Sequence, residues 1–152
     1  MSADLKKRVL TKDVISVCNA DFPTPAMVEF IGDLGFDVLF VDCAQSRTDF
    51  ALVEELGRAA RVSNMASVLR PHSNEAGLIN RYLSCGMGGI QAGHVHNVEE
   101  ANAIIEGVRH WDKGDYREKI FVLMVETKDA IENLPGLLKL NEFDVFYFGQ
   151  ND

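Results

Sequence analysis

The feature that most constrains this chain is a repeated alternation of short apolar runs with amphipathic stretches. Val14 to Cys18, Val38 to Asp42, Ala66 to Arg70, Gly89 to Ala92, Lys119 to Val125 and Phe143 to Phe148 have the length of strands. Between them, apolar residues recur at helical spacing. The sets are Met27, Val28, Ile31 and Leu34; Leu52, Val53, Leu56 and Ala59; Leu78, Ile79, Tyr82 and Leu83; and Ala101, Ile104, Ile105 and Val108. Punctuation falls where such helices would begin and end. Thr24-Pro25 supplies a cap and a first-turn proline, Gly35 and Gly86 stand at helix ends, and Pro71 ends the third strand. Asn97 and Glu100 have the spacing of a capping box, with asparagine in place of the usual Ser or Thr, and Thr127 caps a short helix through Leu134.

Strands alternating with helices predict parallel βαβ units, hence an α/β fold. Six such units fit either an open doubly wound sheet or most of a (β/α) barrel, and the alternation does not choose between them. A complete eight-fold barrel takes about 250 residues, whereas this chain has 152 and reads as one domain over 1–152. A dinucleotide fingerprint is missing: the Gly86-Met-Gly-Gly89 cluster follows a helix and enters a strand, the reverse of a phosphate loop.

Charge narrows the partners. Fifteen basic against 23 acidic side chains give a net charge of −8, and no basic cluster offsets it, which argues against nucleic acid. No apolar run approaches the roughly 18 residues of a membrane span, nor does a signal-peptide stretch follow the basic N-terminus. The expectation is a cytoplasmic protein with reduced cysteines at 18, 43 and 85.

In parallel α/β folds ligands bind at the C-terminal ends of the strands. Those ends read Asp42, Arg70, His94, Glu126 and Asp152. Three carboxylates and a guanidinium suit a hard divalent cation beside a carboxylate-bearing substrate. His94 and His96 could share a metal if both lay on one strand, but a solvated loop entering the Asn97 helix is the simpler reading. The cysteines read as small core residues.

Four stretches carry a family resemblance: Gly35-Phe-Asp-Val-Leu-Phe-Val-Asp42; Val68-Leu-Arg70-Pro71; Val95-His-Asn-Val-Glu-Glu-Ala101; and Val125-Glu126-Thr with Asn133-Leu-Pro135 and Phe143 through Asp152. In order and spacing the chain resembles the HpcH/HpaI aldolases, the metal-dependent (class II) pyruvate aldolases. The resemblance implies the first six units of an incomplete (β/α)8 TIM barrel. It also implies an enzyme that cleaves 4-hydroxy-2-oxo acids to pyruvate and an aldehyde, using Mg²⁺, Mn²⁺ or Co²⁺ and working as a homo-oligomer when full length. On this resemblance Glu126 and Asp152 hold the metal, Arg70 binds the keto acid and steadies the enolate, and Gly149 lies on the substrate side.

The sequence departs from the family in four ways. Where the family's base histidine is expected after Asp42, it has Gln45, which cannot accept a proton near neutrality. The fourth-strand proline is replaced by Gly93. Only His110 to Glu118 fills the gap where the family carries a substrate-facing loop. The last two βα units are expected to be missing beyond Asp152. The runner-up reading is therefore an inactive family member, or a fragment, that binds a 2-oxo acid or a partner subunit. A third is an unrelated open α/β binding domain without metal dependence.

Overall fold

A computed structural model describes residues 2–11, 14–111 and 116–149. Six parallel strands form one sheet: β1 (Val17–Asn19), β2 (Val38–Asp42), β3 (Ala66–Arg70), β4 (Gly89–Ala92), β5 (Ile120–Val125) and β6 (Val145–Phe148). Their order in the sheet is their order in the chain. This decides between the two architectures, because a doubly wound sheet reverses direction at a switch point and a barrel does not. The sheet is a curled half-barrel.

Helices connect the strands: α2 (Pro25–Asp33), α3 (Phe50–Val62), α4 (Ala76–Ser84), α5 (Val98–Trp111), α6 (Lys128–Glu132) and α7 (Leu134–Leu137). A further helix, α1 (Ser2–Leu10), precedes β1 and was not expected from the sequence. No helix among the described residues is long and apolar enough to cross a membrane.

Local chemistry starts these helices where the sequence suggested. The Thr24 hydroxyl accepts from Met27 N at 3.2 Å with Pro25 in the first turn, and Asp49 accepts from Leu52 N at 2.9 Å. Asn97 Oδ1 accepts from Glu100 N at 2.9 Å, while the Glu100 carboxylate reaches back to His96 N rather than to Asn97 N. β5 begins one residue later than expected, at Ile120, and three other boundaries differ for visible reasons. β1 begins at Val17, because Val14 is 91% exposed and Ser16 is bonded to Asp37. β6 begins at Val145, since Phe143 packs into the core and Asp144 instead accepts from Phe121 N. The expected single helix through Leu134 splits at Asn133, because Pro135 has no N–H to continue it.

The two faces of the sheet have different fates. Outward residues such as Leu39, Val41, Leu69, Ile90, Leu123 and Val125 form the larger core with the connecting helices. Inward residues form a second, smaller core of Val38, Ala66, Val68, Ile120 and Val122, with Leu5 of α1 packed against them. This inner face changes character along the strands. Its N-terminal levels are apolar, whereas its C-terminal levels carry Asn19, Asp42, Arg70, Gln91 and Tyr147.

Candidate active site

The inner face lines a cleft of about 760 Å³ whose polar mouth lies at the C-terminal strand ends. Asp42 and Arg70 are register partners on β2 and β3, both pointing inward. They meet as a two-point ion pair: Arg70 Nε donates to Asp42 Oδ1 at 3.0 Å and Arg70 Nη2 donates to Oδ2. Asp42 Oδ1 also accepts from the Ala44 and Gln45 amides at 3.0 and 3.3 Å, which folds the loop after β2 over the carboxylate. Burial alone would raise the Asp42 carboxyl, but the Arg70 hydrogen bonds and charge, with those two amides, hold it below its ordinary value. The Gln45 side chain itself is exposed.

Glu126 follows β5 and is only 5% exposed. Its Oε1 accepts from His94 N at 2.6 Å and lies 3.4 Å from His94 Nδ1. His94 has a positive φ of 51°, a conformation few side chains adopt. Its amide is turned to the carboxylate while its ring is largely exposed.

Two glycines let neighbouring groups pack closely around Glu126. A Cβ at Gly93 would stand 3.1 Å from Glu126 Oε1 and 3.8 Å from Arg70 Cδ, so the guanidinium stem and the buried carboxylate flank one missing methyl. A Cβ at Gly149 would meet Met124 Cε at 2.6 Å and Glu126 Cβ at 3.1 Å. Gly149 N donates to Val125 O at 3.1 Å, which holds this turn over the end of β5.

Asp42 and Arg70 line the mouth, and Glu126 lies beside it across Gly93 with Gly149 next to Glu126, whereas Asp152 lies outside the described residues. No group of three or more His, Cys, Asp or Glu side chains that could hold a metal comes together among the described residues. The site still fits a divalent cation as far as Glu126 goes. Its carboxylate is a hard oxygen donor at a C-terminal strand end, the kind of group such a cation takes, with Gly93 beside it in place of a larger side chain. His94 and His96 lie on a loop, and His96 Nδ1 stands 3.7 Å from Asp129 Oδ2, so the two do not share a strand face.

Sequence reasoning did not single out Gln91 and Met124. Gln91 is the one polar side chain in the Gly89–Ala92 strand and is 8% exposed, and Met124 faces it from β5. A lone glutamine in an apolar strand was the available signal. Cys43 is buried on the opposite face beside Tyr82, whose hydroxyl lies 3.3 Å from His72 Nδ1.

Comparison with known proteins matches this geometry to a family. The family model described as HpcH/HpaI aldolase/citrate lyase matches residues 17–152. A pyruvate aldolase of Rhizobium etli is 25% identical over 86% of this chain and 60% of its own length. A 5-keto-4-deoxy-D-glucarate aldolase of Enterobacter sp. is 22% identical over 97% of this chain and 66% of its own. The chain therefore spans about two thirds or less of the curated relatives it matches. Among solved structures, citrate synthase SbnG superposes with a TM-score of 0.86 at 20% identity, over 95% of this chain and 64% of that one. An HpcH/HpaI aldolase from Desulfitobacterium hafniense gives 0.84 at 17% identity, over 95% and 65%. At that identity the superpositions speak for the half-barrel fold, while the family match covers nearly the whole sequence. The chain belongs to the HpcH/HpaI aldolase/citrate lyase family.

Proposed function

We propose that the mouth of the half-barrel binds a small 2-oxo acid and serves carbon–carbon bond cleavage, releasing pyruvate and an aldehyde from a 4-hydroxy-2-oxo acid. The observation that carries this reading is the Asp42-held Arg70 guanidinium and the buried Glu126 carboxylate on either side of Gly93. Relatives named pyruvate aldolase and 5-keto-4-deoxy-D-glucarate aldolase support it.

Each residue then has a definable part. Asp42 orients Arg70 through the two-point pair, so the guanidinium meets substrate in a fixed plane. Arg70 neutralises the carboxylate of the 2-oxo acid and stabilises the enolate oxygen where its charge develops. Glu126, with Asp152, would hold Mg²⁺, Mn²⁺ or Co²⁺. Such a cation supplies charge stabilisation at the same oxygen when bound. Gly149, on the substrate side, has no side chain to collide with Met124 and Glu126. At the position where a base for the substrate hydroxyl is expected, Gln45 cannot take a proton, and Asp42 is committed to Arg70. Decarboxylation of oxaloacetate, which reaches the same enolate without removing a hydroxyl proton, is expected to outpace aldol cleavage.

Thermal unfolding of the 152-residue chain with Mn²⁺, with oxalate and with both is the test. Oxalate is a flat dianion that imitates the enolate. Saturation at about 100 times Kd predicts a rise in midpoint of about 5 to 10 °C with both ligands together. A cooperative transition that neither ligand moves would sink the proposal.

A second reading, a family member that binds a 2-oxo acid without turning it over, is favoured specifically by Gln45. Replacing it separates the two. Gln45→His is expected to raise aldol cleavage by about a hundredfold or more, the usual worth of a positioned base, while leaving oxaloacetate decarboxylation little changed. No gain in cleavage, with oxalate binding intact, would favour the binding protein.

A further inference from the structure

Two strong hydrogen-bond donors at the cleft mouth converge on one weak acceptor. Gln91 Nε2 lies 3.4 Å from Met124 Sδ, and Arg70 Nη1 lies 3.8 Å from the same sulfur. The strand register brings this about. Val68 pairs with Gly89, so two residues further on Arg70 and Gln91 stand level on adjacent strands with both side chains inward. Gly89, beneath Gln91 on the inner face, is held so close to β5 that an added Cβ would lie 2.4 Å from Ile120 O. The close approach fixes β4 against β5 below the amide.

Gln91 is more than nine-tenths buried and lines the cleft. A thioether accepts hydrogen bonds poorly, so a buried amide aimed at one is under-satisfied. An oxygen ligand would satisfy it. Met124 is unbranched and adaptable, and its methyl rests against Gly149 where the chain leaves a gap. It can therefore back the ligand as an apolar wall.

We propose that Gln91 Nε2 and Arg70 Nη1 form a two-donor subsite for one carboxylate oxygen of a 2-oxo acid, with the Met124 thioether as its wall. This rests on the reading of the mouth as a 2-oxo acid site and goes beyond it by assigning a contact to β4. Gln91 is then a binding residue that selects for a carboxylate acceptor in that position, since an ester or amide at that end of the ligand would present a weaker acceptor to the pair. Loss of the Gln91 contact removes one hydrogen bond to a charged group and leaves the Arg70 contact in place.

The experiment is calorimetric titration of the chain with oxalate in saturating Mn²⁺, comparing the wild type with Gln91→Leu, Gln91→Glu and Arg70→Ala. Each is measured well below its own melting midpoint. Gln91→Leu is expected to weaken oxalate binding by about tenfold or more. Gln91→Glu keeps the size and shape of the side chain but puts an acceptor where the donor was, and is expected to weaken it further. Wild-type binding that Arg70→Ala abolishes, while both Gln91 variants leave it unchanged, would overturn the subsite and leave the 2-oxo acid reading standing. Absence of wild-type binding would overturn both.

Discussion

Asp42 and Cys43 are neighbours in the chain, yet one faces the cleft and the other the helices, because successive side chains leave the end of β2 on opposite sides. The consequence for Cys43 is chemical. Burial, only partly offset by the Tyr82 hydroxyl, pushes its thiol up to about 11. Because the thiolate is the reactive form, native protein treated with iodoacetamide is expected to label at the half-buried Cys18 well before Cys43, with Cys43 reacting only on unfolding. Peptide mass spectrometry over a time course checks this, and rapid native labelling of Cys43 would contradict it. The same alternation explains what could be read in advance. Asp42, Arg70 and Glu126 were legible because each stands where an apolar run stops. The Arg70 pairing with Asp42 was not, since it depends on a register between strands 28 residues apart. Gln91 was hidden because nothing within four residues of β4 says which face a single polar side chain takes.

Among the elements, α1 shows most clearly what pattern reading misses. Its sequence, Ser-Ala-Asp-Leu-Lys-Lys-Arg-Val-Leu, is short and charged, and Leu5 is buried against the inner core. Leu5 and the partly buried Val9, one turn on, are too few to mark a helix by pattern alone. A polar clasp holds this helix in place. Arg8 donates to Asp37 Oδ1, while the backbone N and the hydroxyl of Ser16 both donate to Asp37 Oδ2 at 2.8 Å. Asp37 therefore ties α1 and the approach to β1 to the start of β2. The Arg8 hydrogen bond, followed by those from Ser16, lowers its carboxyl to about 2. A carboxyl depressed in the folded state contributes stability above its unfolded value and loses it as pH falls through the folded value. Asp37→Asn is accordingly expected to cost about 1 kcal/mol at neutral pH after allowance for solvent screening. The gap from wild type should close between about pH 4 and about pH 2. Urea unfolding across that range measures it; a gap that stays constant with pH would show that Asp37 does not act through its charge.

At the level of the whole molecule, strand order rather than strand content identifies the architecture. Alternating apolar runs supplied all six strands, three of them (β2, β3 and β4) with the bounds observed, but they were equally consistent with a doubly wound sheet. Only pairing between distant segments distinguishes the two, and the residues that pair carry no local mark of it. In the half-barrel β1 and β6 each have one neighbour, whereas β3 and β4 lie in the middle and are buried along nearly their whole length. Amide exchange is therefore expected to be slowest in β3 and β4 and fastest in β1 and β6, as hydrogen–deuterium mass spectrometry would read; uniform protection would mean that something covers the edges in solution. The sequential order has another consequence, for synthesis. From β2 to β6 each strand pairs with the one made just before it, so none of these five waits unpaired for a first partner still to be synthesised. The site follows the same timetable. Arg70 meets an Asp42 already in place, and Glu126 meets the waiting amide of His94. For each of these contacts at the mouth, the earlier member is already synthesised when the later one leaves the ribosome.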